Sequence, residues 1–143
     1  MKLVINVCFG GFTLSAEALL KLHEMGETSI ATPVDEYYPP ERRNKKEGYG
    51  YHHALDNWKN YLANSRKGGA FLTVFSPDEK YVLSGYNIPR DNPNLIRVVE
   101  EMGEAAHGSC STLKVIEIPD GVSWHIEDYD GNEHVAENHR TWG

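Results

Sequence analysis

The run Leu3-Val4-Ile5-Asn6-Val7-Cys8-Phe9-Gly10-Gly11-Phe12, followed by Thr13-Leu14-Ser15, does most to limit what this chain can fold into. A strand that is apolar on both faces leaves no side for water, so Lys2 to Cys8 predicts a central strand of a sheet. The Gly10-Gly11 pair breaks it. Ser15 then offers an N-cap oxygen to a helix reaching about Met25, with Ala18, Leu19, Leu22 and Met25 on one face. Leu14 and Leu19 are placed as a hydrophobic staple, and Gly26 is a natural C-terminal stop. A strand leading through two glycines toward a helix also presents backbone N–H groups to an anion. Phe9, Gly10, Gly11 and Phe12 are therefore candidate ligand-binding residues. No nucleotide-loop motif supports them: neither G-x-G-x-x-G nor G-x-x-x-x-G-K-[ST] occurs, and Leu14 stands where a phosphatase loop opened by Cys8 would need arginine.

Further along, Thr28 to Val34 reads as a short strand. Asp35 to Tyr51 holds Pro39-Pro40, a basic cluster and glycines interleaved with tyrosines, and predicts a long mobile loop. His53 to Asn64 returns to helical spacing and ends at Gly68-Gly69. Phe71 to Phe75 and Lys80 to Ser84 predict a hairpin around Ser76-Pro77-Asp78-Glu79, where proline presets a turn dihedral. Asn92-Pro93 starts a helix that buries Leu95, Ile96, Val98, Val99, Met102 and Ala106. Leu113 to Ile118 is a strand, Pro119-Asp120-Gly121 a turn, and Val122 to Glu127 alternates as a half-buried strand does. Tyr129-Asp130-Gly131-Asn132 turns into a polar tail, with Trp142 expected to dock on the body. The order predicts a single α+β domain over residues 1–143, with a mixed sheet of about five to six strands against two to three helices.

Charge narrows the function classes. The 143-residue chain carries a net charge of −7, which argues against nucleic acid as a partner, since domains that bind it are usually basic. The charge is polarised. Pro39 to Lys67 holds Arg42, Arg43, Lys45, Lys46, Lys59, Arg66 and Lys67 against three acids, whereas Glu117 to Arg140 holds seven acids against one base. Arg42 and Arg43 beside Tyr37, Tyr38, Tyr49 and Tyr51 form a combination that clamps phosphates and stacks on bases. Arg90 or Arg140 would add a guanidinium suited to bidentate phosphate contact. The acids Asp128, Asp130, Glu133 and Glu137 make the opposite candidate, a protein-binding face.

Other titratable groups offer less. His125, His134 and His139 cluster near the C-terminus without a metalloprotease spacing, and read as surface residues; neither a metal nor a cofactor is expected. Two cysteines, Cys8 and Cys110, give no disulfide framework. No G-x-S-x-G nucleophile is present. Catalysis by Cys8, His125 or Asp130, as in a small hydrolase or transferase, is the least supported reading. Absence of a signal pattern or a long apolar run predicts a cytoplasmic protein with no membrane partner. Oligomeric state stays open.

Two segments carry a resemblance. Val4 to Ser15 at one end, and at the other Asp91 to Leu95, Leu113 to Gly121, Trp124 to Glu133 and His139-Arg140-Thr141-Trp142, resemble a small uncharacterised protein family of tailed bacteriophages and prophages. The resemblance covers roughly the first fifth and the last third of the chain, and transfers no catalytic residues. It implies a viral accessory protein in the bacterial cytoplasm, of the class that includes counter-defence factors. The leading expectation is a non-enzymatic protein that binds a nucleotide-like anion. The alternative is an inhibitor that docks its acidic C-terminal face on a host defence protein.

Overall fold

The computed structural model describes residues 1–43, 50–64 and 72–138. The chain is α+β and divides into two compact units: Met1–Ala18 with Ile88–Gly143, and Leu19–Asn87. Among the described residues, seven strands lie in three small sheets in which every pair is antiparallel. They do not join into the one mixed sheet that the strand order suggested: among the described residues no ladder links the two-stranded pair, the three-stranded set and the C-terminal hairpin.

In the first unit β1 (Lys2–Asn6) pairs with β5 (Leu113–Glu117) from Lys2 opposite Glu117 to Asn6 opposite Leu113. Leu3, Val4 and Ile5 are buried on both faces, as the unbroken apolar run requires. Ser15 caps α1 (Ala16–Glu24): its Oγ accepts the Ala18 N–H at 3.1 Å. Helix α4 (Pro93–Met102) begins as predicted, with Asn92 Oδ1 accepting the Asn94 and Leu95 N–H groups at 2.9 and 3.1 Å and proline at the first helical position. Its buried stripe, Leu95, Val98 and Val99, faces β1 and β5. The segment expected to trail off as a polar tail instead forms a strand. Here β6 (Trp124–Tyr129) and β7 (Asn132–Glu137) make a six-pair hairpin, turned by Asp130 and Gly131 at positive φ.

The second unit contains a three-stranded sheet in the order β2-β4-β3, with β2 Ala31–Pro33, β3 Val74–Phe75 and β4 Tyr81–Leu83. The predicted β3–β4 turn is closed by Ser76. Its buried hydroxyl donates to Asp78 Oδ1 at 2.6 Å and accepts the Tyr81 N–H at 3.0 Å. Helix α3 (Tyr51–Ala63) buries Ala54, Trp58 and Tyr61, with the Trp58 and Tyr61 rings stacked 5.5 Å apart. The described part of the loop expected over 35–51 consists of short helical turns and the start of a helix. Val34–Tyr37 is a one-turn helix, α2, Pro40–Arg42 a 3-10 turn, and Tyr51 already belongs to α3. Prolines 33, 39 and 40 preset the dihedrals that start these short turns. Residues 44–49 of that loop, and Gly68-Gly69, lie outside the described residues.

Candidate functional site

The Gly10-Gly11 turn is filled by the chain itself. Gly10 N–H donates to the Asp130 carbonyl at 3.1 Å. Gly131 sits so close that a Cβ there would lie 2.2 Å from Gly11 N and 2.7 Å from Gly10 N. The cradle proposed for an anion thus receives the tip of the β6–β7 hairpin. The turn does not open a helix either, since five residues separate Gly10 from Ala16. Leu14, within that gap, bridges His107.

Asn6 ties these pieces together, a residue that sequence reasoning passed over because it interrupts an apolar strand by only one position. It is fully buried. Its Nδ2 donates to the Cys8 and Gly131 carbonyls at 2.7 Å each, while its Oδ1 accepts from Thr112 N at 2.9 Å and Cys8 N at 3.3 Å. Arg90 and Glu133, expected on two different binding surfaces, meet each other. Arg90 Nη1 and Nη2 donate to Glu133 Oε1 and Oε2 at 2.6 and 2.8 Å, a bidentate pair. Glu133 is 8% exposed and also accepts the Asn6 N–H at 2.8 Å. The guanidinium lies 3.7 Å from the centre of the half-buried Phe12 ring. Arg90, Phe12 and Glu133 are therefore framework residues, because burial of one charge is tolerated only when the other neutralises it.

This framework presents an exposed tip. Phe9 and Tyr129 are 59% and 78% exposed, and their rings meet edge to face with centroids 6.4 Å apart. Asp128 and Asp130 are exposed beside Tyr129, and Glu137 is exposed at the far end of β7. Of the acidic candidates, these three remain at the surface and Glu133 does not. On the same hairpin Glu127 joins two histidines: Oε1 meets His125 Nε2 at 2.9 Å and Oε2 meets His134 Nε2 at 2.8 Å. Hydrogen bonds donated to Glu127 and Asn138 raise the pKa of His125 above its ordinary value, and the two histidines hold the Glu127 carboxyl below its own. This cross-strand cluster was invisible without β7.

The basic and aromatic segment belongs to the second unit. Arg43 lies 4.3 Å from the centre of the Tyr51 ring, donates from Nε to the Tyr38 carbonyl at 2.8 Å and pairs with Asp35 at 2.7 Å. It lines an open cleft of about 370 Å³ together with Asp35, Tyr51, Glu79, Lys80 and Tyr81. Tyr38 stacks on Phe75, and burial pushes its phenol above the ordinary range. Arg42 is exposed. Lys45, Lys46, Tyr49, His139, Arg140 and Trp142 lie outside the described residues.

Cys8 is half-buried and Cys110 exposed, both as free thiols. Among the described residues, no helix is long and apolar enough to cross a membrane. No family model, curated protein or solved structure matches the chain.

Proposed function

We propose that this chain is a non-enzymatic accessory protein of phage origin, working in the bacterial cytoplasm by docking the tip of its first unit on a host protein. The carrying observation is the exposed Phe9–Tyr129 pair, held in place by the Gly10–Asp130 hydrogen bond and bordered by Asp128 and Asp130. Aromatic side chains dominate binding hot spots, and a tip that is already ordered loses little entropy on association. The flanking carboxylates favour a partner with an apolar recess rimmed by lysine or arginine.

Tagged protein expressed in bacteria tests this reading, with bound proteins quantified by mass spectrometry. A basic protein retained by the wild type should be lost with Phe9→Ala, Tyr129→Ala and Asp128→Lys. Each aromatic truncation is expected to weaken binding by about 2 kcal/mol, roughly thirtyfold, with no change in the unfolding midpoint. Identical partners for wild type and all three variants would refute it.

A second reading follows from Arg43 lying over Tyr51 at the wall of the second unit's cleft. A nucleotide-like anion would stack on the tyrosines and place its phosphate against Arg43 and Lys80. Calorimetric titration with a nucleotide panel checks it. Arg43→Ala should weaken binding at least about tenfold, equivalent to ~1.4 kcal/mol, and Arg42→Ala less. Equal affinity in both variants removes this reading.

A further inference from the structure

We infer that the outer edge of β6 is a docking surface for a second copy of this chain, the two β6 strands pairing antiparallel about a two-fold axis at Ile126. Among the described residues β6 has one partner strand, β7. The Asn138 N–H donates to the Ser123 carbonyl at 2.8 Å, and Asp130 and Gly131, both at positive φ, make a two-residue turn. That fixes the alternation along the strand. Odd-numbered residues of β6 exchange hydrogen bonds with β7, and Trp124, Ile126 and Asp128 turn their N–H and C=O groups to the outer edge. Asn138 Nδ2 reaches the Trp124 carbonyl at 3.4 Å, beyond the usual hydrogen-bond range.

The edge strands β2, β3 and β5 each carry a device that discourages such pairing. β2 ends on Pro33, β3 is two residues long, and β5 holds the exposed Lys114. β6 has none of these. It runs six residues without proline, lysine or glycine, and its six-pair register is unbroken by a bulge. Trp124 and Ile126, on one face of it, are only half-buried.

Self-complementarity selects a second copy as the occupant. The outward groups lie on even-numbered residues, so an antiparallel pairing must set even opposite even. Centred on Ile126, it sets Ile126 against Ile126 of the second copy and Trp124 against Asp128. On the other face, the exposed His125 and Glu127 each meet the opposite residue type, so neither acid of β6 lies directly across from another acid. A pairing centred on Glu127 would put two carboxylates face to face, and one centred on His125 two imidazoles. One register is thus favoured, and it is isologous, as a two-fold contact requires. The product is a four-stranded sheet in the order β7-β6-β6-β7. Its two hairpin tips stand at opposite ends, roughly 25–30 Å apart at about 3.4 Å per residue.

Sedimentation equilibrium of tag-free full-length protein from about 1 μM to about 1 mM tests the pairing. The expected result is a monomer–dimer equilibrium. Ile126→Pro deletes an N–H that β7 does not use, so the hairpin keeps its ladder while the dimer is lost. Should circular dichroism show that variant unfolded, Glu127→Lys takes its place: the change is at an exposed side chain and should weaken dimerisation roughly tenfold. Tyr86→Ala, at an 89% exposed residue of the second unit, should leave it unchanged. In a Cys8→Ser/Cys110→Ser background, Ile126→Cys should form an interchain disulfide, because directly paired Cα atoms stand about 5.5 Å apart, and His125→Cys should not. A chain that is monomeric throughout, a folded Ile126→Pro variant that still dimerises, or cross-linking through position 125 in place of 126 overturns the pairing. So does a different bacterial protein that takes the β6 edge while the chain alone stays monomeric.

Discussion

Glu133 shows how far one residue's role departs from its sequence neighbourhood. It sits among acids, yet it is the only one of the four acidic candidates turned inward, where Arg90 and the Asn6 N–H neutralise it. Removing one partner leaves a buried charge uncompensated, which costs about 3–5 kcal/mol. Glu133→Ala should therefore lower the free energy of unfolding in urea by that order, and Asp128→Ala by almost nothing. Glycine positions divide in the same way. Gly131→Ala would place a methyl against Gly11 N at a φ of +90°, whereas Gly121→Ala, at +79°, meets open space. Alanine at Gly121 is expected to cost ~1–2 kcal/mol from backbone strain. Alanine at Gly131 should cost clearly more, because the tip itself must move. Comparative denaturant melts check both. Nothing in a single sequence marked the inward roles of Asn6 and Glu133, since the contacts that set them come from Gly131, Thr112 and Arg90, far along the chain.

Elements with a local cause were the readable ones. The Asn92-Pro93 start of α4, the Ser15 cap of α1 and the Ser-Pro-Asp-Glu turn each follow from a side chain that bonds its own backbone neighbourhood. β7 was not readable, because Asn132 to Glu137 carries polar residues on its open face and owes its extension to pairing with β6. The β3–β4 turn gives a pH prediction. The Ser76 hydroxyl and the Lys80 N–H bond the Asp78 carboxylate and hold its pKa below the ordinary value. A lowered folded-state pKa contributes stability that is present above the unfolded value, about 3.9, and is lost as the pH falls through the folded value. Thermal unfolding followed between pH 5 and pH 2 should show this acid loss in the wild type. Asp78→Asn should lessen it, by lowering the neutral-pH midpoint toward the acid one.

At the scale of the whole molecule, the α+β class was legible from the alternation of periods 2 and 3.6, and the division into two units was not. Unit boundaries depend on which strands pair, and the Leu19–Asn87 segment carries no compositional seam at either end. The charge polarity seen in the sequence survives in part. Asp128 and Asp130 lie at the tip of the first unit, and Arg43 lines the cleft of the second.

The pairing of β1 with β5, and of the Gly10-Gly11 turn with Asp130 and Gly131, imposes a timetable on synthesis. Leu3, Val4 and Ile5 find their sheet partner only after Leu113 has been made. At roughly 5–20 residues per second that apolar strand waits several seconds, while the β2-β4-β3 sheet has all its strands once Leu83 is out. Ribosome-bound chains halted near residue 110 should accordingly be cut by protease within the first ten residues, and chains halted after residue 138 with the whole hairpin outside the ribosome should resist. Equal protection in both would mean that β1 finds other cover during translation. A strand whose partner is translated this long after it is a natural client for a chaperone that holds nascent hydrophobic segments.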